Sequence, residues 1–381
     1  MASNRELFCH FPRLKEQLSA FHLAHLPTPV EPFMLSEVDA RAPRSGVFIK
    51  RDDLTSDIYG GNKVRTLEFI FGGALSRGVQ RVVATGAYGS NHAVATILHA
   101  RRAGLSPGTI LFPQPGSVCA LENLEVLLAQ QCAVHWIPHW VFLPWSMWRL
   151  HRQYRQAGEE AEVMVPGGAT PEGALGYVSA ALELAGQVHE GLIPCPRTIV
   201  LPVGSTCTTA GLAVGIHLAS RMGFGFVNRA GRACPPRILA VSVTPWPVAS
   251  YHRIQSLARR TAHHISALTG DSSCLMTAGD CRRIITVDRK FIGRGYGHVS
   301  LEAAEAVKQS NHLPFRLDTI YSGKAFAGLV DNLVKERSLL PTVFWSTKSS
   351  VPLPSGDPCL PDGLPRRVVR WIEKVNEADL I

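Results

Sequence analysis

The chain is 381 residues long, 46% hydrophobic and 18% charged, a balance that supports a buried core and excludes an intrinsically disordered protein. Its apolar runs are too short to span a bilayer, and the start MASNRELFCHFPRLKEQ lacks the pattern of a secretory signal, so a cytoplasmic protein with no membrane partner is expected. The net charge of +9 would suit nucleic acid, but the basic residues are dispersed, and the densest patch, RIQSLARRTAHH, interleaves Ile254, Leu257 and Ala258 as a solvated helix face does; no nucleic-acid partner is expected.

In chain order, VFIK (47–50) reads as a short buried strand and VRTLEFIFGGALSRG (64–78) as an amphipathic helix closed by glycine. RVVAT (81–85) is the next strand, GAYGSN a loop, and HAVATILHARRAG (92–104) a second helix. TILF (109–112) and ALENLEVLLAQQ (120–131) supply a third strand and helix. This βαβαβ series predicts a mostly parallel sheet with helices on its faces.

The next stretch, residues 132–168, is rich in tryptophan. His135 and His139 lie four apart, but Pro138 between them disfavours the helix such a metal pair needs, and no metal is expected. The tryptophans are expected to pack the domain or a subunit interface. A second α/β series follows: TIVLPV (198–203), a glycine and hydroxyl loop, the helix AGLAVGIHLASRMG (210–223) and RILAVSV (237–243). The fold class is therefore α/β, with two domains, each a mostly parallel twisted sheet flanked by helices: residues 1–63 plus 166–381 form the larger, and 64–165 a smaller inserted one. Residues 350–381 are a proline-rich extension ending in a possible short helix, RRVVRWIEKVNEADLI. Nine cysteines without CxxC spacing read as reduced thiols.

Two features carry chemistry. In LPVGSTCTTAGLAVG the residues Gly204, Ser205, Thr206, Cys207, Thr208 and Thr209 join a strand to a helix. Backbone N–H groups and hydroxyls at a helix N-terminus form a cup for a phosphate, or serve as an ordinary polar, N-capped turn. The loop lacks both GxxxxGK[ST] and GxGxxG, which favours a smaller phosphorylated cofactor over a nucleotide. The other feature is IYGGNKVR (58–65), where Lys63 follows a glycine pair and an asparagine. A Schiff-base lysine needs a depressed pKa in a cleft between domains, and pyridoxal 5′-phosphate would use both features together. The glycine pair is read as backbone able to approach a bound cofactor closely.

LPTPVEPF, IKRDDLTSDIYGGNKVRTLEF, GAYGSNHA, GSTCTTAGL and YSGKAFAGL occur in an order that resembles the 1-aminocyclopropane-1-carboxylate deaminase and D-cysteine desulfhydrase family of tryptophan synthase β-like, fold type II pyridoxal-phosphate enzymes. The resemblance spans roughly residues 26–347. It implies that Lys63 holds the cofactor and removes the Cα proton, that Asn91 hydrogen-bonds the cofactor's phenolic oxygen, and that Ser90 and His92 line the substrate carboxylate pocket with Asn91. It further implies that the loop from Gly204 to Thr209 binds the phosphate, that Tyr321 stands beside a small amino-acid substrate, and that the protein is a homodimer.

Departures from the family pattern narrow the reaction. Ser322 stands where the deaminases have glutamate beside the pyridine nitrogen, and a neutral partner, Ser322 or Thr347, suits β-elimination better than ring opening. In WSTKSS, Ser346, Lys348 and Ser349 replace the histidine and both glycines of a His-Thr-Gly-Gly stretch, and Thr66 replaces a lysine. The expected activity is a D-cysteine desulfhydrase-like lyase releasing thiol, pyruvate and ammonia. A deaminase, β-replacement enzyme or racemase on the same scaffold is the alternative, and a pyridoxal-phosphate-binding protein without turnover is a third.

Overall fold

The computed structural model describes residues 5–228, 230–310, 313–353 and 363–379. Among these are ten strands: β1 (Val30–Phe33), β2 (Val47–Lys50), β3 (Arg81–Ala87), β4 (Ser106–Phe112), β5 (Ala133–Trp136), β6 (Ala161–Val163), β7 (Thr198–Val203), β8 (Arg237–Ser242), β9 (Ile285–Asp288) and β10 (Thr342–Trp345). They form a six-stranded sheet in the order β1-β2-β10-β7-β8-β9 and a four-stranded sheet in the order β5-β4-β3-β6. Every pairing is parallel except β1 with β2. The expected α/β architecture with mostly parallel sheets is therefore present, and burial on both faces explains the near-continuous apolar runs of TIVLPV and TVFW.

Helices Pro171–His189, Cys207–Met222 and Tyr251–Thr269 share a core that includes Leu182, Leu212, Ile254 and Trp345. On the other face of the large sheet, Ala306, Phe326 and Leu329 pack against Phe344. In the smaller unit, helices Asn62–Ser76, Asn91–Arg102 and Val118–Ala129 contribute Leu67, Val94 and Leu124 to a second core.

Each of these helices, and Cys207–Met222, begins one to three residues before its apolar period does. Ser90 and Ser117 supply the side-chain caps, accepting from the backbone N–H of Ala93 and Ala120, and such polar starts lie outside a hydrophobic pattern. The basic patch Arg253 to His264 lies in the helix Tyr251–Thr269, with Ile254, Leu257 and Ala258 buried.

Two sequence expectations change in part. Of the four tryptophans in the middle stretch, Trp136 packs edge-on to Tyr88, whereas Trp140, Trp145 and Trp148 are 56–59% exposed. Arg149 and Arg152 lie over the rings of Trp145 and Trp148, so these rings do not fill the domain core. The C-terminal extension was grouped by chain order with the large unit. Its helix, Arg366–Asp379, instead docks on the smaller one: Val368, Ile372 and Val375 join that core, and Trp371 Nε1 donates to Gln114 O at 2.6 Å. Residues 354–362, which hold Pro354, Pro358 and Pro361 of that extension, lie outside the described residues.

Candidate active site

Lys63 occupies the first turn of helix Asn62–Ser76, whose N-cap, Gly61, has φ 92°. A β-carbon on Gly61 would stand 2.5 Å from Thr347 O, and one on Gly60 would overlap Asp53 O. The constraint visible on the glycine pair is thus close approach to the chain's own backbone. Asn62 N donates to Thr347 O at 3.1 Å, and Gly60 N to Ser349 Oγ at 2.9 Å. The WSTKSS segment therefore holds the lysine loop from behind.

Two residues beyond Lys63, Arg65 anchors the helix in a buried charge cluster. Asp52 Oδ2 accepts from Arg65 Nε (3.0 Å), Tyr177 OH (2.8 Å) and Trp345 Nε1 (2.7 Å), and Oδ1 from Arg65 Nη2 (2.8 Å) and Thr28 Oγ1 (2.9 Å). Glu183 pairs with Arg65 and with Lys50. Burial opposes the charge on Glu183, yet Arg65 and Lys50 pull its pKa down to about 2. Two cations thus face two carboxylates across β2, β10 and two helices, which fixes the direction in which the Lys63 helix leaves the sheet.

Lys63 Nζ donates to Gly167 O at 3.3 Å. Burial, only partly offset by Cys207, lowers the pKa of its amine, which is what a nucleophilic lysine requires. Gly167 and Gly168, both at φ 68°, escaped the sequence reading at the end of the tryptophan-rich stretch. A β-carbon on Gly167 would overlap Ser205 Oγ and approach Lys63 Nζ to 3.3 Å; one on Gly168 would meet Thr66 Cγ2 at 2.8 Å and His92 Cε1 at 3.5 Å. This glycine turn brings the lysine, the Gly204–Thr209 loop and His92 to one place.

The loop leaves β7 and enters the helix Cys207–Met222 through Thr206, which is left-handed at φ 73°. Thr208 Oγ1 accepts from Asn62 Nδ2 at 3.0 Å, tying the loop to the residue beside Lys63. Cys207 Sγ donates to Gly168 O at 3.2 Å, and burial raises its pKa, so it is a thiol inside the turn. Thr209 is 1% exposed and its Oγ1 has no partner among the described residues. A buried hydroxyl left unsatisfied beside the free N–H groups of a helix start fits an anion in this cup.

Ser90 caps the helix that carries Asn91 and His92. Three donors converge on Asn91 Oδ1: Tyr59 OH at 3.0 Å, Asn123 Nδ2 at 2.8 Å and Lys348 Nζ at 3.3 Å. Its amide nitrogen is therefore the atom left to donate. His92 is 3% exposed, with neither ring nitrogen partnered among the described residues, and burial together with the charge on Lys63 pushes its pKa down to about 3. It is a neutral imidazole.

Tyr321 and Tyr296 share a 2.6 Å hydrogen bond. Burial and the neighbouring Tyr296 raise the Tyr321 pKa well above its ordinary value, so its hydroxyl keeps its proton. Its Cε1 would lie 3.6 Å from a β-carbon on Gly204, so it borders the same loop as the lysine. Ser322 begins the helix Ser322–Lys335. Its hydroxyl donates to Asp318 Oδ2 at 2.9 Å and accepts from Asp318 N at 2.8 Å, which commits its only proton. Thr347 is 8% exposed beside Gly61. Tyr59, Asn123, Tyr296, Asp318 and the glycine turn are the neighbours that single-motif reading missed; Tyr59, Asn123 and Tyr296 meet partners 25 or more positions away in sequence.

A lysine with a lowered pKa, joined through one glycine turn to a loop with an unpartnered buried hydroxyl, is a combination suited to an aldehyde cofactor bearing a phosphate. Residues 22–344 match the pyridoxal-phosphate dependent enzyme family, and the chain belongs to it; its cofactor is pyridoxal 5′-phosphate. Within that family it stands with the 1-aminocyclopropane-1-carboxylate deaminase and D-cysteine desulfhydrase group. It is 30% identical to nocardicin C-9′ epimerase of Nocardia uniformis subsp. tsuyamanensis, over 86% of this chain and 93% of that protein. It is 31% identical to D-cysteine desulfhydrase of Salmonella paratyphi A, over 86% and 90%. The solved structure of an ACC deaminase homologue superposes with a TM-score of 0.71 at 26% identity, covering 90% of this chain and 94% of that one. No group of His, Cys, Asp and Glu among the described residues could hold a metal, and no described helix is long and apolar enough to cross a membrane.

Proposed function

We propose that the protein is a lyase that deprotonates a small β-substituted amino acid at Cα and eliminates the β-substituent, yielding thiol, pyruvate and ammonia from a D-cysteine-like substrate. When bound, pyridoxal phosphate supplies the electron sink for the charge left at Cα. The observation that carries the reading is the pairing of an acid and a base around one loop. Lys63 Nζ, its pKa lowered, reaches the loop through Gly167, and Tyr321, its pKa raised, borders it at Gly204.

Lys63 holds the cofactor at rest and takes the Cα proton in the reaction, while the Tyr321 hydroxyl returns a proton to the departing group and is recharged through Tyr296. The free amide nitrogen of Asn91 donates to the cofactor's phenolic oxygen. Backbone N–H groups from Gly204 to Thr209, with the Ser205, Thr206, Thr208 and Thr209 hydroxyls, hold the phosphate. Ser90 and His92 border the substrate carboxylate. With the Ser322 proton engaged by Asp318, Thr347 is the hydroxyl for the pyridine nitrogen, and a neutral partner there favours elimination over ring opening. Division into 1–63 plus 166–381 and 64–165, with the C-terminal helix of the first packed on the core of the second, a homodimeric assembly and a cytoplasmic location complete the proposal.

A second reading, racemase or epimerase, is favoured by the same Lys63 and Tyr321 pair, because a proton returned to Cα rather than to a leaving group inverts the centre; the relationship to nocardicin C-9′ epimerase supports it. Side-by-side assay of D-cysteine, L-cysteine, D-serine and 1-aminocyclopropane-1-carboxylate, with Cα–H exchange in deuterated water, separates these. Sulfide from D-cysteine supports elimination. Exchange without sulfide or pyruvate supports inversion, and 2-oxobutanoate from the cyclopropane substrate sinks the argument from Ser322 and Thr347.

A further inference from the structure

Lys348 is the most unusual group at this site. The Thr347–Ser349 segment backs the lysine loop, and from it the Lys348 side chain reaches a narrow recess that Asn91, Gln114, Cys119, Asp318 and Tyr321 also line. Its ammonium donates to Asn91 Oδ1 at 3.3 Å and lies 6.0 Å from the centroid of the Tyr59 ring. It makes no ion pair among the described residues.

The carboxylate that borders the same recess makes no ion pair with it among the described residues. Asp318 Oδ1 accepts from Ile320 N and Tyr321 N, and Oδ2 from Ser322 N and Ser322 Oγ, so both of its oxygens are engaged at the start of a helix and it acts on Lys348 only at a distance. Burial acts against the charge on Lys348, but Tyr59, Asp318 and Cys119 leave its pKa raised; it stays an ammonium. A cation held in a narrow recess by an amide oxygen and the Tyr59 side chain, with no ion pair among the described residues, is costly unless a ligand at its mouth brings the counter-charge. The substrate's α-carboxylate already has the start of the helix Asn91–Arg102, where Ser90 and the first N–H groups cluster. One positive charge is left over.

We propose that Lys348 recognises a second anion on the substrate, carried by the β-substituent, so that the site selects amino acids whose leaving group is acidic. This rests on the reading of the site under Proposed function and names its substrate class. For a carboxymethyl thioether the elimination balances: Cα loses its proton to Lys63, the Cβ–S bond breaks with its electrons on sulfur, and Tyr321 protonates the departing thiolate. Hydrolysis of the remaining three-carbon fragment gives pyruvate and ammonia.

The test titrates the holoenzyme with S-carboxymethylcysteine and with its neutral isostere, S-carbamoylmethylcysteine, both enantiomers of each, following the cofactor's absorbance and, independently, the heat of binding. In the wild type the acid binds about tenfold or more tighter than the amide, as a charge-assisted contact predicts. In Lys348→Met and Lys348→Gln the preference disappears while cofactor uptake, the control for folding, persists. Equal affinities in the wild type, or a preference retained in both variants, overturn the assignment of Lys348 alone. A wild type that takes up no pyridoxal phosphate overturns the underlying reading of the site, and this inference with it.

Discussion

Replacing Asp52 by asparagine tests how the fold holds its lysine. Asp52 and Arg65 are at most 1% exposed, Lys50 is fully enclosed and Glu183 is 6% exposed, so neither water nor salt screens the cluster. Asparagine keeps one carbonyl oxygen and sets an amide N–H₂ where Oδ2 now accepts from Arg65, Tyr177 and Trp345. It also leaves Lys50 and Arg65 sharing one carboxylate. Breaking a buried pair in this way costs about 3–5 kcal/mol. Urea denaturation followed by circular dichroism should show that loss, and pyridoxal phosphate titration should show weaker retention, because Gly61 N also bonds to Asp52 O. Adding Lys50→Met rebalances the charge and should recover at least about 1 kcal/mol. A single variant within about 0.5 kcal/mol of wild type would refute the cluster's role.

Three further outcomes are expected. Gly61→Ala forces φ 92° on a β-carbon 2.5 Å from Thr347 O; it should cost about 2 kcal/mol or more and cut cofactor uptake, measured by absorbance. His92, with a folded pKa of about 3 against an ordinary 6.5, binds its proton more readily when unfolded. Its contribution is therefore intact above pH 6.5 and lost as pH falls toward 3. His92→Gln should lose less stability between neutral pH and about pH 4.5, by about 3 kcal/mol, and parallel acid limbs for the two proteins would count against a buried neutral imidazole. Tyr321→Phe should lower kcat for sulfide release by about 10²–10⁴-fold with little change in KM, and Tyr296→Phe should lower it less.

Much of the site was legible because its chemistry is local. The Lys63 loop, the Ser90–His92 helix start and the Gly204–Thr209 turn are each a short strand-to-helix or loop-to-helix junction, and glycine, serine and threonine mark such junctions for physical reasons. The strands β3, β7 and β8 and the helices after them show in their apolar periodicity. What stayed hidden is non-local. The strands β5, β6, β9 and β10 are three or four residues long, too short to show a period, and unlike β2 they are not read from an apolar run either. Asp52 and Glu183 meet Arg65 across 13 and 118 positions of chain, and no pattern in either segment announces the other. Gly167 and Gly168 carry no motif, yet their left-handed turn is what joins the lysine to the Gly204–Thr209 loop. Lys348 was visible as a departure from the family pattern, but its position beside Asn91 needed the fold.

Reduction of the purified holoenzyme with borohydride, followed by peptide mapping, measures the attachment of the cofactor directly. The visible absorption should be replaced by a stable pyridoxyl adduct on the peptide containing Lys63, and Lys63→Ala should show neither band nor adduct. An adduct on Lys348 or another lysine, or no cofactor uptake at saturating pyridoxal phosphate, would contradict the assignment of Lys63.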